Sequence, residues 1–274
     1  MSTLVCFHAH PDDECIQTGG TMAQAAADGH RVVLVVATRG EHGEIVPGVL
    51  GEGEALWQRR IAETYESARI LGAERVEFLG YVDSGMVGEP DNDAPYSFWS
   101  ADVEHAANRL AAILTEEQAD VLTAYDHHGG YGHPDHIQVH RVGLRAAEIA
   151  GTPVVLQATM NRDHILAGME EARAAAEASR ELGEEQETPS AEPDFDIPDD
   201  FGEPAAHITH AIDVAHLAVT KRDAMVAHAS QIAPDSWFLD MDAEQFGRAF
   251  GTEWFIRVGR PRAEGEAFAA SIWD

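Results

Sequence analysis

Two runs of this chain are apolar on every successive residue: Val32-Val33-Leu34-Val35-Val36 and Pro153-Val154-Val155-Leu156. A strand with one wet face alternates apolar and polar residues, whereas a strand covered on both faces does not. Such strands lie inside a parallel sheet with helices packed on either side. Strand-like runs recur at 3–8, 31–38, 75–80, 120–125 and 153–160, separated by helical spacing at 20–28, 54–70, 101–117 and 134–150. The alternation predicts an α/β fold, a Rossmann-like three-layer sandwich around a mostly parallel sheet. Ligands in such sheets bind beyond the carboxyl ends of the strands.

After residue 160 the pattern loosens. Residues 161–182 read as helical, and 183–204 carries four prolines and many acids, which predicts a solvated loop or flap. A strand at 207–212, a helix at 214–230 and a final strand at 254–258 follow. The expected organisation is a catalytic core over 1–160, a helix and acidic loop over 161–206, and a smaller C-terminal α+β extension over 207–274 that completes the same domain. No internal repeat is present.

The 48 acids against 18 bases give a formal charge of −30, which argues against nucleic acid or an anionic membrane as partner. Between Glu170 and Glu203 stand 13 acids and only two bases, Arg173 and Arg180; the chain's single lysine is Lys221. No stretch approaches the roughly 20 apolar residues that span a bilayer. The N-terminal run at 3–7 lacks the charged and longer apolar regions of a leader, so a cytoplasmic location is the expectation. Cys6 and Cys15 form neither a disulfide framework nor a metal pair and are expected to be small buried residues.

The first strand ends in His8-Ala9-His10-Pro11-Asp12-Asp13-Glu14, and the fourth in Tyr125-Asp126-His127-His128-Gly129-Gly130-Tyr131-Gly132-His133-Pro134-Asp135-His136. One such cluster would be weak; two at the ends of parallel strands converge on one sheet edge. A catalytic zinc site takes three protein ligands and keeps a position open. Imidazoles and a carboxylate meet that need, and a second carboxylate beside the activated water can take its proton. Adjacent Asp12 and Asp13 point in different directions, so one can bind metal while the other faces substrate. Pro134 suits the first position of a helix, which places His133 and His136 on one face of its entry. No Gly-x-Ser-x-Gly elbow is present to form a covalent acyl-enzyme.

The paired His10-Pro11-Asp12-Asp13-Glu14 and His133-Pro134-Asp135-His136 resemble the PIG-L/LmbE superfamily of metal-dependent N-acetylglucosaminyl deacetylases. The likeness is closest to its actinobacterial mycothiol-pathway members, a glucosaminyl-inositol deacetylase and a mycothiol-conjugate amidase. It runs through most of 3–145, including Gly129-Gly130-Tyr131-Gly132, Asp83-Ser84-Gly85-Met86 and the helix with Arg60, Glu63 and Leu71-Gly72, and more weakly His228-Ala229-Ser230-Gln231. The acidic stretch at 183–204 has no counterpart.

The resemblance implies Zn²⁺, with Fe²⁺ as the alternative, held by His10, Asp13 and His136. It makes Asp12 the general base and then the acid that protonates the leaving amine. His133 becomes a cation stabilising the oxyanion, oriented by Asp135, and Tyr131 supports the transition state. Arg60 and Asp83 match residues that hold sugar and inositol hydroxyls. The implied reaction removes an N-acetyl group from a glucosamine-containing small molecule of the GlcNAc-inositol type. A mycothiol S-conjugate amidase or a specialised-metabolite deacetylase is the alternative. The expected partner is therefore a small N-acetylated amino sugar, with neither nucleic acid nor membrane, and homo-oligomer formation is left open.

Other readings weigh against these. Two histidines and a carboxylate also describe non-haem Fe(II) oxygenases, but those sit mostly in antiparallel barrels, and Asp12 has no required role there. A non-catalytic glycan-binding module leaves the same base unexplained. His140, four residues after His136, is an alternative ligand but reads better as packed. His8 reads as a core histidine, Glu14 as an acceptor of backbone hydrogen bonds at a helix start, and Asp126 equally as strand end or histidine partner. His127 and His128 are expected at the mouth; His207, His210, His216 and His228 are too dispersed for a second site. Trp237, Phe238, Trp254 and Phe255 read as core.

Overall fold

The computed structural model describes residues 1–181 and 201–274. Most of the acidic loop expected at 183–204, as far as residue 200, lies outside the described residues. Five parallel strands form the centre: β1 (Thr3–His8), β2 (Arg31–Val36), β3 (Arg75–Phe78), β4 (Val121–Tyr125) and β5 (Val154–Thr159). β6 (His210–Asp213) and β7 (Thr252–Arg257) extend the same sheet, with β7 antiparallel to both its neighbours. Among the described residues the order is β3-β2-β1-β4-β5-β7-β6. The expected mostly parallel three-layer α/β sandwich is borne out, and the C-terminal extension adds its strands to the sheet's edge.

The helices are α1 (Asp13–Gln17), α2 (Gly19–Ala27), α3 (Leu56–Ile70), α4 (Val103–Glu117), α5 (Pro134–Ala150), α6 (Arg162–Glu181), α7 (Ala218–Ala227), α8 (Trp237–Asp240) and α9 (Ala243–Phe250). α4 packs on α5, which lies against β4 and β1; α2 lies against β2 and β1 and packs on α7, which also meets α3. With helices on both faces, Leu4–Phe7, Val32–Val36 and all of β4 are buried, each large apolar side chain contributing about 1.5–3 kcal/mol. Gly143 lets α5 approach β4 closely, since a Cβ there would lie 2.8 Å from that of Ala124.

From β1 the chain winds outward through β2 to β3, then returns to the other side of β1 for β4 and β5. The winding direction reverses between β1 and β4, the point at whose carboxyl ends ligands bind in such sheets. Both His/Asp clusters emerge there. Element ends differ from expectation where pairing decides them: β6 begins at His210, where β7 first offers a partner in Phe255, rather than at residue 207. The helix expected at 214–230 is a short turn followed by α7, which stops at Ala227. Phe255 is in the core as expected, whereas Trp237 is 60 % exposed on the short α8. No helix among the described residues is long and apolar enough to cross a membrane.

Candidate active site

The loop after β1 turns through Asp12 at φ 99°, a region that side chains rarely adopt and that costs about 1–3 kcal/mol. The strain is held from both sides. The Asp12 N–H donates to Glu14 Oε2 at 2.9 Å, and Arg60 Nη2 donates to the Pro11 carbonyl at 2.5 Å and to Asp12 Oδ2 at 3.1 Å. The turn sends the two neighbouring carboxylates apart: Asp13 folds back to accept the His10 N–H at 2.8 Å, while Asp12 faces Arg60. The loop after β4 turns at Gly129, φ 63°, where a Cβ would meet that of His136 at 2.5 Å. His133 caps α5 and Pro134 follows at its first position.

These turns bring His10, Asp13 and His136 together, all buried. His10 Nδ1 lies 3.4 Å from Asp13 Oδ2, His136 Nε2 lies 3.4 Å from the same oxygen, and the two ring nitrogens are 3.3 Å apart. Ligands about 2.0–2.2 Å from a tetrahedral zinc are separated from one another by roughly 3.4 Å. The donor triangle therefore fits such an ion. The far nitrogens also fit: His136 Nδ1 lies 3.2 Å from the Gly129 carbonyl, and His10 Nε2 lies 3.2 Å from Asp135 Oδ2 and 3.5 Å from Asp83 Oδ1. Protons placed there leave the inner lone pairs free for a metal. Burial opposes ionisation of Asp13, but His136 and His10 hold its pKa well below the carboxylate range. Burial also pulls His10 down, yet Asp83, Asp13 and Asp135 around it raise it well above the usual imidazole value. Three carboxylates around one imidazole make a pocket that favours positive charge.

Asp135 departs from expectation. Its carboxylate accepts from the Ser84 N–H at 2.9 Å and from the Ser84 hydroxyl, and faces His10; only its backbone N–H reaches His133, donating to Nδ1 at 3.1 Å. Asp135 thus braces His10 directly and His133 through the main chain. With Nδ1 accepting, the neutral His133 ring carries its proton on Nε2. Burial, then His10 and His136, bring His133 down to about 3, which with the accepting Nδ1 describes, among the protein's own groups, a neutral N–H donor in place of the expected cation.

Arg60 and Asp83, expected at substrate hydroxyls, have their polar groups engaged within the protein. Arg60 is buried, and its guanidinium donates to Gly40, Pro11 and Asp12. Asp83 accepts from the His42 and Gly85 N–H groups. Burial pushes Asp12 up to about 6 against the pull of Arg60, a suitable range for a general base near neutral pH. Tyr131 stands half-exposed at the mouth, its ring 4.9 Å from that of His136 and 6.2 Å from that of His133.

His8 is a satisfied core residue between the Tyr125 hydroxyl at 2.7 Å and Thr18 at 2.9 Å, and burial brings it down to about 4. His140 turns to the Tyr125 carbonyl at 3.0 Å and to Gln157, away from the donor triangle. Asp126 shapes its loop by accepting from the His128 and Gly130 N–H groups and from Thr159. Cys6 and Cys15 are buried and free.

Sequence reasoning missed the support beneath Asp12. Glu14 does accept a backbone N–H as expected, but its other oxygen meets His228 Nε2 at 2.6 Å and the Ser67 hydroxyl at 2.5 Å. Ser230 similarly bonds Glu63, through its hydroxyl at 2.6 Å and its N–H at 2.9 Å. The His228-Ala229-Ser230-Gln231 motif was the available signal, but nothing local pairs it with Glu14 and Glu63. Ser84 was likewise visible only as a neighbour of Asp83.

Fold and candidate site together define a class: α/β proteins that gather two histidines and paired aspartates at the carboxyl ends of the central strands. The profile of the family described as PIG-L, GlcNAc-PI de-N-acetylase, matches residues 5–147, and the chain belongs to this family. The chain is 40 % identical over 282 residues to a Streptomyces griseus protein named 1D-myo-inositol 2-acetamido-2-deoxy-alpha-D-glucopyranoside deacetylase, covering 96 % of this chain and 87 % of that one. A protein of the same name from Acidothermus cellulolyticus is 41 % identical over 268 residues, covering 93 % and 88 %. Among solved structures, the N,N'-diacetylchitobiose deacetylase of Pyrococcus horikoshii superposes with a TM-score of 0.60 at 21 % identity, over 94 % of this chain and 84 % of that one. GalB, the 4-carboxy-2-hydroxymuconate hydratase from Pseudomonas putida, reaches 0.58 at 19 % identity, over 97 % and 100 %. At these identities the likeness shows the fold alone, and a hydratase on the same fold means that the site must argue the reaction.

Proposed function

We propose that this chain hydrolyses the N-acetyl amide of a glucosamine-containing small molecule of the GlcNAc-inositol type, releasing acetate and a free amine. The observation that carries the reading is the donor triangle of His10, Asp13 and His136 with the unligated Asp12 beside it. The relatives that match nearly the whole chain at about 40 % identity carry the substrate class in their names.

His10, Asp13 and His136 would hold Zn²⁺, with Fe²⁺ also compatible with two imidazoles and a carboxylate. When bound, the ion supplies Lewis acidity, polarising the acetyl carbonyl and lowering the pKa of a water towards about 7. Asp12 takes a proton from that water as its oxygen bonds to the acetyl carbon. The same carboxyl returns the proton to the amine nitrogen as the carbon–nitrogen bond breaks, so no covalent enzyme intermediate is needed. His133 donates Nε2–H to the oxygen on which negative charge grows, and Tyr131 closes over the acetyl group from the mouth. Arg60, Glu14 and His228 keep Asp12 in its strained pose. Asp83 and Asp135 keep the His10 ring turned.

The test is a mass-spectrometric panel of simple N-acetylglucosaminides, GlcNAc-inositol and thioether conjugates, run with Zn²⁺ and with Fe²⁺ after chelation. GlcNAc-inositol should be the preferred source of acetate. Cleavage confined to the cysteinyl amide of thioether conjugates would overturn the substrate assignment. D12A should retain metal by elemental analysis and lose nearly all turnover; full residual activity would sink the mechanism.

A further inference from the structure

Beside the mouth lies a second group of metal-binding side chains that the proposed reaction does not use. Glu203 is buried, yet its carboxylate is faced by imidazoles from two separate segments. His127 Nδ1 lies 3.1 Å from Glu203 Oε1, His128 Nε2 lies 3.9 Å from the same oxygen, and His207 Nδ1 lies 2.8 Å from Oε2. One ligand atom each from His127, His128 and Glu203 fall within 4.8 Å of one another. The His127 and His207 side chains are well exposed, so a hydrated ion can reach them.

We propose that His127, His128, Glu203 and His207 form a second transition-metal site, separate from the triangle of His10, Asp13 and His136. The separations from Glu203 bracket the roughly 3.4 Å expected between ligands of a tetrahedral zinc. His127, His128 and Glu203 supply three gathered donors, and His207, on the other carboxylate oxygen, joins them by turning its exposed ring. Imidazole donors select zinc, nickel or copper over calcium and magnesium. The backbone already joins these segments: the Gly202 N–H donates to the Gly130 carbonyl at 2.8 Å, and Glu203 pairs with Met160 and Arg162 through its main chain. An ion here ties the chain at 201–207 to the loop that carries Tyr131. The site was invisible to spacing because Glu203 reaches His127 and His128 only through the packing of the chain around it on the end of β5.

Zinc alone is the probe, with bound equivalents counted by calorimetry and elemental analysis on the full chain. H127N/H128N/H207N should bind one equivalent fewer than wild type, and H207N, at an exposed position, should weaken that same equivalent. D13N/H136A should lose a different equivalent, so failure of the proposed catalytic centre reads out separately from failure of this site. Equal stoichiometry and affinity in wild type and the triple variant would overturn the proposal. So would loss of every equivalent from the triple variant, which would mean that the site is not separate. Calcium uptake that the triple variant abolishes would overturn the choice of metal class.

Discussion

Lys221, the chain's one lysine, is buried, with its ammonium 2.6 Å from Glu253 Oε1. The same carboxylate accepts the Gly20 and Thr21 N–H groups at 2.8 Å each. One ion pair thus joins α7, β7 and the start of α2. K221M keeps the aliphatic stem and removes the charge. Breaking a buried pair typically costs about 3–5 kcal/mol, because the remaining charge stays buried. Here two amides at a helix N-terminus still solvate Glu253 and offset about 1 kcal/mol, leaving roughly 3 kcal/mol. For a chain of this size that lowers Tm by about 6–12 °C. K221M/E253Q, which removes both charges, should recover much of the loss, since removing a whole buried pair is often close to neutral. Thermal and urea unfolding followed by circular dichroism would complete the cycle. A single variant within about 1 kcal/mol of wild type, or a double variant no better than the single one, would refute the reasoning.

Other consequences follow from the site. With Asp12 raised to about 6 by burial, kcat/KM should fall as pH drops through and below that value, because the base must be ionised; a bound cation moves this limb lower. D12N should abolish the limb and about 10²–10⁴-fold of the rate, whereas a wild-type profile flat to strongly acid pH would remove Asp12 as the base. Arg60 lowers the Asp12 pKa, so R60M should move the acid limb upward and reduce kcat with little change in KM; a rise in KM alone would restore a substrate-binding role for Arg60. H133A should lose about 10²–10³-fold in kcat through a missing oxyanion donor. The acid limb, set by Asp12, should stay in place in H133A; a cationic His133 would instead give an alkaline limb, so an alkaline limb in wild type that vanished with the ring would return the cationic reading.

Much of this was legible before any coordinates. The doubly apolar strands predicted the parallel sheet, and the two Pro-interrupted clusters predicted where ligands would gather. What proved illegible shares one cause. The family likeness assigned Arg60 and Asp83 to substrate hydroxyls, but only the packing shows that Arg60 also reaches Asp12 and Asp83 also reaches His10. The protonation of His133 depended on which nitrogen accepts the Asp135 amide. Glu14 with His228, Glu63 with Ser230, and Glu203 with His127 are partners far apart in the chain, so no local pattern contains them.

The sequence by itself determined the layered α/β architecture, because hydrophobic period and strand covering are local properties. It also determined that two histidine–aspartate clusters would meet at one sheet edge, because parallel winding carries strand ends to the same side. Only the tertiary structure decided which way the side chains there face. A positive-φ turn at Asp12 separates two adjacent carboxylates, and a buried arginine holds one of them out of the donor triangle. Those outcomes depend on distances between segments remote in the chain, which packing sets and residue spacing does not encode.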